Sequence, residues 1–207
     1  MSTADEPTPY VSRGGLKLRH ALDCFGIDPR GLVCADLGCN VGGFTDCLLR
    51  AGAARVYAVD TGYGTLAWAL RRDARVRVME RTNALHAAPP EPVSLVAVDL
   101  GWTPQRHAVP AAMRWLARGG RVVSLVKPHY ELDDAERRSL LRDGVLPLPE
   151  AERIARRTID ALPAMGVRVL AETRSPIPGG HGKGKQGNTE WLVLLAPLAE
   201  PAGPPAT

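Results

Sequence analysis

The chain has 207 residues, 45% hydrophobic and 23% charged, with a formal net charge of +4 and an isoelectric point near 9.1. That apolar share can fill the core of one domain, and neither a membrane span nor a signal peptide is visible. The four cysteines (24, 34, 39 and 47) form no CxxC pair, so metal-ligand spacing is absent, no metal site is expected, and reduced thiols in a cytoplasmic protein are expected instead. The basic balance fits an anionic partner but does not require one.

The elements alternate along the chain. "GLKLRHALDCFG" spaces Leu18, Leu22 and Phe25 as one helical face and stops at Gly26. "LVCADLG" reads as a strand, and "GGFTDCLLRAGA" as a helix ended by Gly52. Next come the strand "RVYAVD", a short helix "GTLAWALRRD", and the strands "RVRVME" and "VSLVAVDL". "HAVPAAMRWLARGG" is expected to be a helix with a Gly-Gly stop, followed by the strand "RVVSLVK". "LPEAERIARRTIDALPAMG" is a helix with Pro149 near its start and Gly166 after its end. "VRVLAET" and "EWLVLLA" close the series. Seven strands, most apolar on both faces and alternating with helices, predict an α/β fold whose mostly parallel sheet is covered on both sides. Residues 1–10 and 198–207, rich in Pro, Ala and Thr, read as tails around one domain over 11–197.

Ligands in such sheets bind beyond the carboxyl ends of the strands. The first strand ends in "ADLGCNVGGF", where glycines allow a tight turn and close approach of a ligand. The second ends in Asp60, 22 residues after Gly38, where a carboxylate can accept both hydroxyls of an adenosine ribose. The dinucleotide spacing G-x-G-x-x-G is absent, because Asn40 occupies the middle position and the next glycine is Gly42. Thr82 and Asn83 can either bond an adenine edge or cap a turn. The fourth and fifth strands end in Asp99 and Lys127, which are either a structural ion pair or two groups opening into one cleft. Only Lys17, Lys127, Lys183 and Lys185 are lysines among 26 basic residues. A lysine can lose its proton when desolvated and an arginine cannot, so Lys127 suits a base or a compact charge beside a reacting hydroxyl.

"ADLGCNVGGF" resembles the D-x-G-x-G-x-G loop of S-adenosylmethionine methyltransferases, with Asn40 in place of the middle glycine. "YVSRGGLKLRHALDCFGID", "GGFTDCLLRAGAARVYAVDTGYGTLAWALR", "ERTN", "VDL", "LVKPHYE" and "SPIPGGHGKGKQGNTEWLVLL" together resemble the TlyA-type (hemolysin A) enzymes. Those are ribosomal-RNA 2'-O-methyltransferases of the FtsJ/RrmJ-like superfamily. The resemblance implies a Rossmann-like class I methyltransferase domain, S-adenosyl-L-methionine as cofactor and RNA as partner. It further implies a tetrad of Lys17, Asp99, Lys127 and Glu190, with Lys127 deprotonating a ribose hydroxyl or stabilising its developing charge. The implied cofactor contacts are Asp36, Gly38, Asn40, Gly42, Gly43, Phe44, Asp60, Thr61, Thr82, Asn83 and Asp99.

Two departures stand out. TlyA-type proteins carry an N-terminal S4-like RNA-binding domain, whereas about a dozen residues precede "SRGG" here. That domain is expected to be absent, with a partner protein able to take its place. The loop over 179–188 is more basic than the family's and is either a phosphate-contacting flap or a solvated glycine-rich loop. Arg13, Arg19 and His20 are expected on an electropositive rim, and Tyr10, Tyr63, Trp102 and Tyr130 near the cleft. Trp68 and Trp115 are expected on helices, as packing residues. The alternative functions are methylation of a small molecule or a non-ribosomal substrate, and a non-catalytic RNA-binding factor on the same scaffold.

Overall fold

The structure, a computed structural model, describes residues 8–180 and 187–199. Seven strands form one sheet: β1 (Val33–Leu37), β2 (Arg55–Val59), β3 (Val76–Met79), β4 (Val93–Val98), β5 (Leu116–Val126), β6 (Val167–Arg174) and β7 (Trp191–Pro197). Their order is β3-β2-β1-β4-β5-β7-β6. The first five run parallel, and β7 lies antiparallel between β5 and β6. The expected mostly parallel sheet is therefore present.

Strand side chains alternate between two cores, as the two-residue period requires. Leu95 and Ala97 face one, while Val96 and Val98 face the other. The first core is covered by α1 (Gly14–Phe25) and α2 (Gly43–Arg50) through Leu18, Leu22, Phe44 and Leu48. The short α3 (Trp68–Arg71) adds Leu70. The second is covered by α4 (Gln105–Met113) and α6 (Leu148–Ala161), with Val109 and Ile159, and by Trp115.

Several expected boundaries move. The expected helix "HAVPAAMRWLARGG" ends at Met113, and Leu116–Gly120 belongs to β5 instead. The Val93 amide bonds the Trp115 carbonyl at 2.8 Å and Leu116 pairs with Val93, so sheet pairing overrides the helical pattern. Trp115 thus lies in a turn beyond the helix, fully buried, whereas Trp68 is on α3 and 72% exposed. The α3 segment keeps only one turn of the ten residues expected. An additional helix, α5 (Asp134–Leu140), has no buried residue and hence no apolar stripe to announce it. A reciprocal capping box between Asp133 and Glu136 holds its start.

Of the expected tails, residues 1–7 and 200–207 lie outside the described residues, as do 181–186 of the basic loop. Tyr10 is not part of a loose tail, because it packs against the first core. The arginines of α6 are a solvated face: Arg153, Arg156 and Arg157 pair with Glu150, Glu172 and Glu136.

Candidate active site

The register of the sheet builds the centre. Val126 of β5 pairs with Trp191 of β7, so the residues just beyond, Lys127 and Glu190, lie side by side at the carboxyl edge of β5. Reversal of β7 is what brings Glu190 to that edge. Asp99 follows β4, the parallel neighbour of β5 on its other side. Lys17 arrives on the first turn of α1, which packs across Leu192 and Leu194 of β7.

These four side chains form two ion pairs, Lys17–Glu190 and Lys127–Asp99. The first is buried, with side-chain exposures of 8% and 3%. Lys127 also reaches the Leu100 carbonyl at 3.5 Å. The pairs sense one another. Burial alone would lower the Lys127 ammonium, but the charges of Asp99 and Glu190 outweigh it and hold the group above its ordinary value. Burial pushes the Glu190 carboxyl up, against the pull of Lys17 and Lys127. The sequence left open whether Lys127 is a base or a compact charge, and the direction of this shift favours the charge.

A cleft of two lobes lies over the strand ends. One, about 470 Å³, is lined by Lys17, Gly38, Asn40, Gly43, Phe44 and Asp99, with Ser12 and Arg13 on its rim. The other, about 530 Å³, is lined by Asp60, Thr61, Thr82, Asn83, Trp102 and Lys127. They share Gly38, Asn40 and Asp99. Both volumes lie in the range of small-molecule sites.

The floor is the turn after β1. Gly38 has φ +93°, and a Cβ there would stand 2.5 Å from the Asp99 carbonyl oxygen. Asn40 takes φ 48°, the left-handed conformation asparagine tolerates better than most, and its amide bonds Asp60 Oδ2 at 2.9 Å. The Gly62 amide holds Asp60 Oδ1 at 2.7 Å. Each Asp60 oxygen thus carries one backbone bond and retains capacity to accept another.

Not every expected contact lines the cleft. Gly42 belongs to the N-cap of α2, with φ +105°, and faces Leu66 and Leu70 rather than the cavity. Asp36 is fully buried beneath the turn, accepting from the Thr45 amide at 2.8 Å and hydroxyl at 2.6 Å. Its other oxygen is buried with no hydrogen-bond partner among the described residues. Burial pushes this carboxyl up to about 7. A carboxyl more readily protonated in the folded state makes stability fall as pH rises between the two pKa values. We expect stability to drop by about 3 to 4 kcal/mol between pH 4 and 7 from this group and then level off. Urea midpoints of the wild type and Asp36→Asn check this, since the variant should lack that slope.

Thr82 caps locally, its hydroxyl donating to the Glu80 carbonyl at 2.9 Å. Asn83 Oδ1 accepts the Leu85 amide at 2.9 Å, so both turn-cappers also line the lobe. On the rim, Arg13 lines the cleft, but Arg19 pairs with Asp23 and His20 lies 3.1 Å from the Thr173 hydroxyl.

Sequence reasoning missed a buried clamp behind the centre. Glu131 Oε1 accepts the amide of Gln105 at the start of α4, at 2.8 Å. The Gln105 side chain donates to the Leu125 carbonyl at 3.1 Å and accepts from the Ser124 hydroxyl at 2.7 Å. Glu131 ends the "KPHYE" stretch, which was the available signal. Trp102, 78% exposed, stacks on Tyr130 with ring centroids 4.8 Å apart.

A doubly wound seven-stranded sheet with a glycine turn, an acid after β2 and a polar cleft at the strand ends defines the Rossmann-like methyltransferase class. An S-adenosylmethionine-dependent methyltransferase from Mesorhizobium loti shares this fold, with a TM-score of 0.58 at 18% identity over 85% of this chain and 95% of that one. The chain belongs to the FtsJ-like methyltransferase family, whose model matches residues 10–158. TlyA of Mycobacterium tuberculosis, a 16S/23S rRNA (cytidine-2'-O)-methyltransferase, is 37% identical over 196 residues, covering 92% of this chain and 70% of its own. A Streptococcus thermophilus structure carrying the hemolysin name superposes with a TM-score of 0.84 at 36% identity, over 95% of this chain and 70% of that one. Glu190 falls beyond the family match, yet the fold brings it to the centre. No helix among the described residues is long and apolar enough to cross a membrane.

Proposed function

We propose that this protein transfers a methyl group from S-adenosylmethionine to a ribose 2'-hydroxyl of RNA, with ribosomal RNA as the acceptor. The observation that carries this reading is the double ion pair, Lys17–Glu190 and Lys127–Asp99, beside a cleft suited to a nucleoside. The residues present fit the cofactor. Gly38 lets the turn pack against the Asp99 backbone at the floor, Asp60 can accept ribose hydroxyls, and Thr82 and Asn83 flank a space for a base. When bound, S-adenosylmethionine supplies a methyl group activated by a positively charged sulfur.

The chain's own residues then do the following. Lys127 stays protonated, because Asp99 and Glu190 hold its ammonium up. Its positive charge beside the ribose oxygen favours loss of the hydroxyl proton to solvent and stabilises the resulting alkoxide, whose oxygen bonds the methyl carbon as the methyl leaves the sulfur. Asp99 orients Lys127, and the Lys17–Glu190 pair sits beside it at the same strand edge. The exposed Trp102 stacked on Tyr130 offers a flat surface for the acceptor base.

The test is transfer of tritiated methyl to ribosomal subunits, total RNA and a small-metabolite extract. Label in RNA that resists alkaline cleavage at the modified ribose is expected. Label confined to the small molecules overturns the RNA acceptor, and no label despite cofactor binding overturns the enzymatic reading. In calorimetry, Asp60→Ala should bind S-adenosylmethionine about 10- to 100-fold more weakly. Unchanged affinity would remove Asp60 from the ribose contact.

A further inference from the structure

On the cofactor-side rim, the loops after β2 and β3 are laced together. The Arg81 amide bonds the Gly62 carbonyl at 3.1 Å, and the Thr82 amide bonds the Asp60 carbonyl at 2.9 Å. The Gly64 amide bonds Glu80 Oε1 at 2.8 Å. This lacing holds Arg81 at φ 51°, a left-handed conformation that costs a bulky residue about 1 kcal/mol or more. The result is a guanidinium stacked over the Tyr63 ring, 4.3 Å from its centroid. Both residues are exposed, Tyr63 to 70%.

The nearby carboxylates are already engaged. Glu80 pairs with Arg71, and Asp60 holds two backbone amides. Among the described residues the Arg81 guanidinium makes no hydrogen bond or ion pair, in contrast to Arg71 nearby and to Arg55 and Arg75 at the amino ends of β2 and β3. A positive fork fixed in plane by an aromatic ring, with its donors unspent, suits a phosphate group. It stands beside Thr61 and Thr82, which line the cleft.

We propose that Arg81, held by Tyr63, is a docking point for a phosphate of the RNA strand on the rim opposite Trp102 and Tyr130. This rests on the proposed RNA acceptor and adds a second anchor, so the strand is held on both sides of the cleft. Phosphate contacts position the strand without reading its sequence.

The experiment measures binding of a single-stranded RNA oligonucleotide and of intact ribosomal subunits across a range of potassium chloride. The wild type, Arg81→Ala, Arg81→Lys and Tyr63→Ala are compared, with thermal melts to establish that each variant is folded. Arg81→Ala should weaken RNA binding about 5- to 10-fold and flatten the slope of log K against log salt by about 1. Arg81→Lys should keep the slope but lose part of the affinity, because lysine is a point charge without the fork. Tyr63→Ala should weaken binding at every salt concentration with the slope retained. Calorimetry with S-adenosylmethionine should give the same affinity for all four proteins. An Arg81→Ala slope and affinity equal to the wild type overturn the proposal. So does a loss confined to cofactor affinity, which would make the pair a cover for the adenosine. A wild type that binds no RNA overturns the RNA acceptor itself, an outcome distinct from both.

Discussion

Lys127→Ala is expected to lower methyl transfer by at least about 1000-fold while S-adenosylmethionine still binds. Removing one preorganised donor from a developing oxyanion costs about 3 to 4 kcal/mol elsewhere, a factor of about 150 to 900. Here the loss is compounded, because Asp99 would also lose its ion-pair partner, which raises the expected loss to that scale. Lys127→Arg separates charge from geometry. It preserves the positive charge in a residue that cannot lose it, but spreads that charge over a planar fork too wide for the place of a compact ammonium. We expect it to retain cofactor binding and to recover only a minor part of the rate. Single-turnover rates with saturating RNA give the comparison. Full activity in Lys127→Arg would mean that only the sign of the charge matters, and near-wild-type activity in Lys127→Ala would remove Lys127 from the chemistry.

The second large effect concerns stability. Lys17 and Glu190 are both buried, and removing one partner of a buried pair leaves an uncompensated charge. Lys17→Met, which keeps the apolar stem, should destabilise the protein by about 3 kcal/mol or more at neutral pH. Glu190 supplies the sign of the pH dependence. Burial already raises its pKa, and without Lys17 it rises further. A carboxyl whose folded pKa exceeds its unfolded value stabilises the fold less as pH rises between the two. The Lys17→Met defect should therefore shrink as the solution is acidified toward the unfolded pKa. The double variant Lys17→Met/Glu190→Gln should regain most of the stability, yet not the methyl transfer. Urea midpoints and transfer assays on the three variants check both halves. A Lys17→Met protein as stable as the wild type at pH 8 would refute the buried-charge account.

The parts of the fold that were legible in the sequence were those with one dominant local cause. Strands β2 and β4 and the second half of β5 are apolar runs followed by Asp60, Asp99 and Lys127, and these polar residues mark the cleft. Gly26 stops α1 with positive φ, as glycine allows, whereas the helix expected to run to Gly166 ends at Ala161 and Gly166 closes the 3-10 turn Leu162–Met165 that follows. What stayed hidden depends on partners distant in the chain. The segment Leu116–Gly120 has helical composition, but pairing with β4 makes it strand. Helix α5 is carried by caps and surface pairs, which leave no periodic trace. Gly42 and Asp36 belong to the expected loop pattern, yet one meets α3 and the other lies under the turn. Asp99 and Lys127 stood out as polar strand ends that could pair, whereas Lys17 and Glu190 came from the family resemblance. That Lys17 pairs with Glu190 could be learned only from the fold.

The reversed last strand has a consequence for how the protein comes into being. Lys17 and Glu190 are 173 positions apart, close to the greatest separation the domain permits. Contacts this distant are the slowest kind to form and the last available during synthesis. A nascent chain that has already packed β1 through β5 would hold Lys127 and Asp99 in place, but Lys17 would still wait for its counter-charge. The centre is thus completed only when β7 threads between β5 and β6. On the proposed function, methyl transfer would double as a report that the chain has finished folding.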